Sequence, residues 1–545
     1  MKSPLINNPL SVAFIAAILF IPFLGNVHLF DWDEINFAES AREMLITHEY
    51  FRVQINFQPF WEKPPFFFWL QALSMSVFGV NEFAARFPNA VCGMITLSLL
   101  FYIGKQTFNT RFAWLWVLFM MGSFTPALYF KSGIIDPWFN LFIFTAIWQL
   151  SLVSQKQNRQ HRTKRFVFIG ILLGLAVLTK GPVALLVAVL CAGVYFIRSG
   201  FSVYFSVKQL ALALLCIIGI SSLWVIVEIS KNGAGVLIDF LKYQVDLFKN
   251  PVAGHGQPWF YHPVVLLIGC FPASIFAIKG FLTRSQHLKE STLKQWMGIL
   301  FWVVLILFSL VTTKIVHYSS LCYMPLTFMA ALGIEKTLLN QQKLSSWMSI
   351  PVLIFGLLVS SLLAALPLIE LFKHKLIPYI KDDFAIASLT INAEWNGFEW
   401  MIGFFLAVVS VYSFAMFQKQ QLSKGIFTLL ISFAIVIPSY MMMVVPKIEA
   451  YSQRPAIEFY QSLSGKDVYV ESLGHKSYAQ YFYSNSEPKT HPSYYDINWL
   501  LTGSIDKPAY FVVKVNHLNR YTKNHLTLIE QRGGFALLVR YPVND

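Results

Sequence analysis

Thirteen apolar runs, closely spaced along the first four-fifths of the chain, constrain this sequence more than any other feature. They fall at 9–27, 84–104, 112–130, 137–154, 166–180, 182–198, 208–228, 260–280, 296–312, 317–335, 346–368, 398–417 and 425–445. Crossing a bilayer takes about 20 apolar residues, fewer where a helix is broken or buried in protein. Each run therefore predicts a membrane-spanning helix. The composition agrees: 56% of the 545 residues are hydrophobic and 13% are charged, where soluble domains carry about 25% charged residues. The fifth and sixth runs are short and meet at Lys180-Gly181-Pro182, a turn that predicts a tight helical hairpin. The first run follows only Lys2 and lacks a small-x-small cleavage pattern. It reads as a retained span and not as a removed signal peptide.

Charge orients the bundle. Every second connection, counted from the N-terminus, is basic; these hold Lys105, Arg111, Arg162, Lys164, Arg165, Arg198, Arg284, Lys289 and Lys294 among others, with Glu290 and Glu335 their only acids. Basic loops stay in the cytoplasm. The N-terminus is thus expected inside and, after thirteen spans, the C-terminus outside. The net charge of +14 is read as this topology signal, not as a nucleic-acid surface. The other connections hold the chemistry, so the functional face is expected to be extracytoplasmic, away from ATP and cytosolic nucleotide-sugars. The five cysteines all lie in apolar stretches without metal-ligand spacing, as small buried hydrophobes do.

The expected architecture is an α-helical polytopic membrane protein with a small extracytoplasmic α/β C-terminal domain. The membrane domain covers 1–445, with a first outer loop over 29–83 that contains interfacial helices, and the outer domain covers 446–545. In that tail, Asp467–Ser472, Ala509–Val515 and Phe535–Tyr541 read as strands, and Arg454–Ser464 and His475–Ser484 as helices.

The first outer loop is the richest stretch. Eight of the chain's 28 acidic residues fall between Asp31 and Glu82. Asp33 and Glu34 open an amphipathic segment, Asp33–His48. Acids there suit a helix N-terminus through its dipole, and equally suit a general base acting on an incoming hydroxyl. Glu62 and Lys63 precede Pro64-Pro65, which hold both rigidly at the mouth of an apolar helix over Phe66–Phe78. Lys63 fits a phosphate; Glu62 fits a cation or a hydroxyl. Arg86, Lys131 and Asp136 stand at the ends of spans, where ionisable groups are functional candidates, although Asp136 before Pro137 also reads as an N-cap. Lys180 at the hairpin tip reads as a cavity cation or a snorkelling lysine. Lys314, four residues before Tyr318, is expected on the same helix face, with His317 beside them. His255, between two glycines, reads as a metal ligand, a phosphate donor or an ordinary loop histidine. Acids beside several cations at a membrane surface suit a lipid phosphate or pyrophosphate.

These residues carry a family resemblance. Asp33-Glu34-x-x-Phe37-Ala38-Glu39-x-x-Arg42-Glu43-Met44, then Glu62-Lys63-Pro64-Pro65, then Phe78-Gly79-Val80-Asn81-Glu82-Phe83-Ala84-Ala85-Arg86 resemble the GT-C class of membrane glycosyltransferases, within the protein mannosyltransferase superfamily. The nearest likeness is to its aminoarabinose lipid A transferases. Leu178-Thr179-Lys180-Gly181-Pro182, Gly254-His255 with Pro258-Trp259, and Lys314-x-x-x-Tyr318 are weaker matches. The resemblance implies a sugar donor carried on undecaprenyl phosphate, an inverting transfer, and an acceptor that is lipid A or another periplasmic glycan or protein. It implies a bacterial inner-membrane enzyme with a periplasmic active site. It matches Asp33 to the catalytic acid, Lys63 to a position near the donor phosphate, and Asp136, Lys180 and Tyr318 to further cavity positions. Taken with the residues read above, the candidates are Asp33, Glu34 and Glu62 for catalysis and Lys63, Arg86, Lys180, Lys314 and Tyr318 for the donor phosphate. Lys131, Asp136 and His317 become further cavity residues, and Glu62 with His255 match positions able to hold a divalent metal ion. No nucleotide cofactor is implied. The pattern departs at Asn36-Phe37, where the arabinose transferases have Arg-Tyr, and at Lys314-Ile315-Val316-His317-Tyr318, where they have Lys-Leu-Pro-Thr-Tyr. These departures leave the reaction class intact and the sugar and acceptor open. Transfer to a protein hydroxyl or periplasmic glycan is the enzymatic alternative. A lipid-linked sugar flippase is the non-enzymatic one, and it would call for an inverted repeat and mid-membrane charges that the chain lacks.

Overall fold

Each of the thirteen apolar runs carries helix in the computed structural model, which describes residues 7–60, 62–155, 161–203, 205–249, 256–284, 287–489, 491–522 and 526–542. Among the described residues, six helices are long and apolar enough to cross a membrane: Glu82–Thr107, Val207–Asn232, Leu288–Leu310, Ser346–Tyr379, Trp400–Gln418 and Leu422–Ala450. A seventh is possible if the pair Tyr261–Gly269 and Ala273–Leu282 counts as one span, although the two halves meet at 108°. Pro272 sits in the break as the cap of the second half, where a proline lacks the N–H that a continuous helix needs. The remaining runs form shorter helices. The first helix, α1, covers only Pro9–Phe20, and Pro22 follows it.

The first outer loop departs most from expectation. Helix α2 forms over Asp33–Thr47, with His48 closing it in the left-handed conformation at φ 58°. It was expected to lie at an interface with one wet face. Instead every residue from Glu34 to Met44 is buried. Helices α3 (Phe66–Phe78) and α4 (Glu82–Thr107) cover one side. On the other, Ile35, Ala38 and Ala41 share an apolar cluster with Ile457, Phe459 and Tyr460 from the tail. Between them, β1 (Gln54–Ile55) and β2 (Gln58–Pro59) form a minimal hairpin.

Burial on all sides is tolerable because the charges of α2 are paired within the fold. Arg42 grips Glu39, with Nε to Oε2 and Nη2 to Oε1 both at 2.7 Å. It also donates to the Ser486 carbonyl at 2.6 Å and to Asn485 Oδ1 at 3.2 Å. One arginine cannot neutralise two carboxylates. Burial, and then the neighbouring Glu39, push the Glu43 carboxyl up to about 9 from its ordinary 4.5, so Glu43 carries a proton at neutral pH.

The tail builds a four-stranded sheet ordered β3-β4-β6-β5, from β3 (Tyr469–Leu473), β4 (Ala509–Lys514), β5 (Thr527–Arg532) and β6 (Phe535–Arg540). β3 and β4 are parallel; β4–β6 and β5–β6 are antiparallel. The expected strands and helices form with shifted ends; the helices are Arg454–Ser462 and Ala479–Tyr483. Strand β5 was not read from the sequence. It is an exposed edge strand with a register shift between Leu528 and Glu530, which breaks the two-residue alternation. Its signal was the Gly533-Gly534 turn before β6, where Gly533 adopts φ +52°.

The Glu43 proton gives a pH prediction. The folded chain holds that proton between about pH 4.5 and pH 9 while the unfolded chain releases it, so stability from this site is lost as pH rises through that window. Glu43→Gln, neutral at every pH, should unfold at a higher temperature than the wild type, by an amount that grows from pH 5 to pH 9. Thermal unfolding in detergent across that range measures the gap; a constant gap would show that Glu43 does not titrate there.

Candidate active site

Four connections between helices, those around Asp33 and Lys63, around Asp136, around Lys180 and around His317, converge with the tail on one cavity of about 660 Å³. Its wall includes Asp33, Glu34, Glu62, Lys63, Asp136, Lys180, His317 and Tyr318, eight of the residues singled out in the sequence. Helix ends place most of them. Asp33 opens α2, Asp136 opens Asp136–Val153, and each gains from the positive end of its helix dipole. Lys180 closes Arg162–Lys180. Gly181 then takes φ +93°, a conformation favouring glycine, and the chain turns into Val183–Arg198. The expected hairpin therefore forms with Lys180 at its tip. Pro65 caps α3, so Glu62 and Lys63 are held just ahead of a helix start.

The polar groups form one chain. His317 Nε2 lies 3.4 Å from Asp33 Oδ2 and 3.8 Å from Asp136 Oδ2. Asp136 Oδ1 takes the Lys180 ammonium, which also stands 4.9 Å from the centre of the Tyr318 ring. The Asp136 side chain is 5% exposed and the Asp33 side chain 32%. Of the two carboxylates beside His317, Asp33 is therefore the one that an incoming molecule can meet. Lys63 lies 3.9 Å from Glu62. Burial pulls the Lys63 ammonium below its ordinary value, against the attraction of Glu62 and Asp33. An anion bound beside it would strengthen its charge.

Four expectations need correction. Glu34 and Arg86 form a buried tie and not a catalytic acid beside a phosphate-binding cation. Arg86 bonds Glu34 through Nε at 3.1 Å and Nη2 at 2.8 Å, and donates to the carbonyls of Leu24, Val27 and His28 at 2.7, 2.7 and 2.9 Å. Glu34 also accepts from the backbone N–H groups of Phe30 and Gly133. Burial alone would lift its carboxyl, yet Arg86 and these N–H groups hold it below its ordinary value. Lys131 is no cavity residue: its ammonium donates to the Leu19, Phe20 and Pro22 carbonyls and so finishes α1, where helix carbonyls lack partners. Lys314 shares no helix face with Tyr318. It precedes the 3-10 helix Val316–Cys322, with Ile315 extended, and its ammonium bonds the Val311 carbonyl at 2.7 Å. His255, like Trp61, lies outside the described residues.

Two contributors to the wall escaped the sequence reading. Trp32 and Lys476 both line the cavity, and the Lys476 ammonium stands 4.5 Å from the centre of the Trp32 ring. Nothing local marks Lys476; only the docking of the tail brings it there. Asp31 leans towards the same segment. Burial lifts its carboxyl, and the Ser477 side chain and Tyr478 backbone oppose that. Among the described residues, no group of three or more His, Cys, Asp or Glu side chains could hold a metal ion.

Comparisons with known proteins place this geometry. The profile of the dolichyl-phosphate-mannose-protein mannosyltransferase family matches residues 62–226. The undecaprenyl phosphate-alpha-4-amino-4-deoxy-L-arabinose arabinosyl transferase of Wigglesworthia glossinidia brevipalpis is 25% identical over 75% of this chain and 75% of its own. Its counterpart from Photorhabdus laumondii is 26% identical over 73% of this chain and 74% of its own. The crystal structure of ArnT from Cupriavidus metallidurans bound to undecaprenyl phosphate superposes with a TM-score of 0.74 at 18% identity, covering 97% of each chain. The archaeal oligosaccharyltransferase AglB from Archaeoglobus fulgidus is more distant, at a TM-score of 0.51 and 12% identity over 97% of this chain and 74% of its own. The likeness read from the first-loop motifs thus extends along the chain, which is a multi-pass membrane glycosyltransferase similar to these arabinosyl transferases and folded like ArnT.

The corrected roles can be separated by experiment. Removing one partner of a buried ion pair costs about 3–5 kcal/mol. Arg86→Met should therefore lower the yield of folded protein and its unfolding temperature. Asp33→Asn, at a partly exposed position, should leave both close to wild type. Size-exclusion profiles and thermal unfolding in detergent test this, and an Arg86→Met protein as stable as wild type would contradict the assigned tie.

Proposed function

We propose that this chain transfers a sugar from undecaprenyl phosphate to an acceptor at the periplasmic face of the inner membrane, with aminoarabinose and a lipid A phosphate as the pair. The observation that carries the reading is Asp33, held by His317 and open to the cavity that Lys63 also lines. The names of the similar transferases supply the donor and the sugar. The same reading takes all thirteen helical segments as membrane-crossing or re-entrant, the N-terminus as cytoplasmic, and 446–545 as a periplasmic domain.

The acceptor oxygen attacks the anomeric carbon from the face opposite the phosphate. The bond from that carbon to the phosphate oxygen breaks, undecaprenyl phosphate leaves with the electron pair, and the configuration inverts. A phosphate acceptor arrives already ionised, and Asp33 then orients it; a hydroxyl acceptor would give its proton to Asp33. His317, also near Asp136, keeps the Asp33 carboxylate aimed. Lys63 meets the negative charge that grows on the leaving phosphate, the kind of contact whose loss costs about 10²- to 10³-fold in kcat. Lys180, clamped by Asp136 and Tyr318, adds a second positive group on the same wall. A divalent ion at Glu62 and His255 would support the departing phosphate.

The decisive experiment is mass spectrometry of lipid A from cells that make the carrier-linked aminoarabinose, with and without this chain. A pentosamine-sized addition should appear with the wild type and vanish with Asp33→Asn. Unchanged lipid A would remove that acceptor and turn the search to periplasmic glycans and glycoproteins. In a purified assay, Lys63→Ala should lower kcat about 10²- to 10³-fold, with Lys63→Arg restoring part of it. Equal rates for Lys63→Ala and wild type would take Lys63 out of the donor site. Loss of activity on chelation, restored by a divalent salt, would establish the ion.

A further inference from the structure

A second basic concavity lies at the other end of the helices that carry the active site. It has a volume of about 590 Å³, and Arg198, Arg284 and Lys294 line it. Arg198 ends the helix Val183–Arg198, whose first residue follows Lys180 by three. Sixteen helical residues therefore put it about 24 Å from the hairpin tip. Lys294 lies early in Leu288–Leu310, the helix that leads on to Thr313 and the active site. Arg284 follows Ala273–Leu282. We propose that this concavity binds the phosphate-bearing head group of an anionic membrane lipid.

Three observations carry the assignment. The first is charge. Among the described residues no carboxylate lines the cavity, and Glu290, the acid nearest in sequence on the same helix, is turned to Lys336 at 3.1 Å. Basic residues on these connections satisfy the topology rule wherever they stand. The rule does not require three separate segments to bring them into one pocket. The second is placement. The Lys294 ammonium donates to the Phe281 carbonyl at 3.1 Å and to the Thr283 carbonyl. It thereby closes the end of Ala273–Leu282, as Lys131 closes α1, and leaves the exposed Arg198 and Arg284 as the cations that meet the head group, while Ser291 and Gln295 add a hydroxyl and an amide to the lining. The third is the apolar wall. Phe281, Trp302 and Met329 complete the pocket. The Trp302 ring lies 6.0 Å from that of Phe281, and the residue is 52% exposed. A site cationic on one side and aromatic on the other matches a head group with its acyl chain, as basic pockets between membrane helices do. Gly298 keeps the space open: a Cβ placed there would meet only the Met329 methyl, at 3.6 Å. Free phosphate shares the charge chemistry but has no use for the wall.

The test uses the full chain in detergent, following thermal unfolding with added phosphatidylglycerol, cardiolipin, phosphatidylcholine or inorganic phosphate. The anionic lipids should raise the midpoint by several degrees, and phosphatidylcholine and inorganic phosphate should not. An Arg198→Gln/Arg284→Gln double variant, altered only at exposed side chains, should keep the lipid-free midpoint and lose at least half of the rise. Gly298→Leu, which narrows the pocket without changing charge, should do the same. An equal rise in wild type and both variants, or no rise in the wild type, would overturn the proposal. A rise of the same size with inorganic phosphate would assign the pocket to a soluble anion and overturn the lipid assignment.

Discussion

The buried tie between Glu34 and Arg86 is the contact on which the active-site face depends. Two charges out of water are costly, and they survive there only when every polar atom around them is matched. Here the matching is the architecture. Arg86, at the start of α4, gathers the carbonyls of Leu24, Val27 and His28, so it fixes the chain leaving α1. Glu34, at the start of α2, reaches the Phe30 and Gly133 backbones, so it fixes the connection before Asp136. One pair thus holds three segments in register. Asp33 precedes Glu34 by one residue and Asp136 follows Gly133 by three. Their convergence near His317 follows from that clamp.

The opposite end of α2 makes a different bond. Arg42 spends its guanidinium on Glu39 and on the Asn485–Ser486 turn of the tail, and the Leu29 N–H donates to the Tyr483 hydroxyl at 2.7 Å. The tail is therefore seated on the same helix that carries Asp33. It is through this seating that Lys476 reaches the Trp32 ring and the cavity mouth. A helix packed between the membrane helices and the tail couples the two, and its burial explains why its charges had to be paired internally.

Much of this was legible in the sequence. Hydropathy picked out thirteen runs that all carry helix, because a membrane segment must be apolar along its length wherever it ends up, and it passed over the amphipathic helix Gly235–Lys249. The hairpin at Lys180-Gly181-Pro182 was legible because glycine and proline act locally. Asp33, Glu34, Glu62, Lys63, Asp136, Lys180, His317 and Tyr318 were legible as charged or polar residues placed at or near helix ends, and the structure brings all eight to one cavity, Glu34 through its tie to Arg86. Hydropathy did not register the bend of 108° between Tyr261–Gly269 and Ala273–Leu282, since an average over a window carries no direction.

What the sequence determined by itself were properties set within a few residues: where the chain is apolar, where it turns, and where a helix can begin. What only the tertiary structure decided was which charge meets which. Arg86, Lys131 and Lys314 look like phosphate ligands when read alone, because a cation near a membrane surface has the same signature whatever it binds. The fold gives Arg86 to a carboxylate and Lys131 and Lys314 to backbone carbonyls, and leaves Lys63, Lys180 and Lys476 on the cavity wall. Charges interact across distances that the order of residues does not encode, so their partners emerge only when segments hundreds of residues apart are packed together.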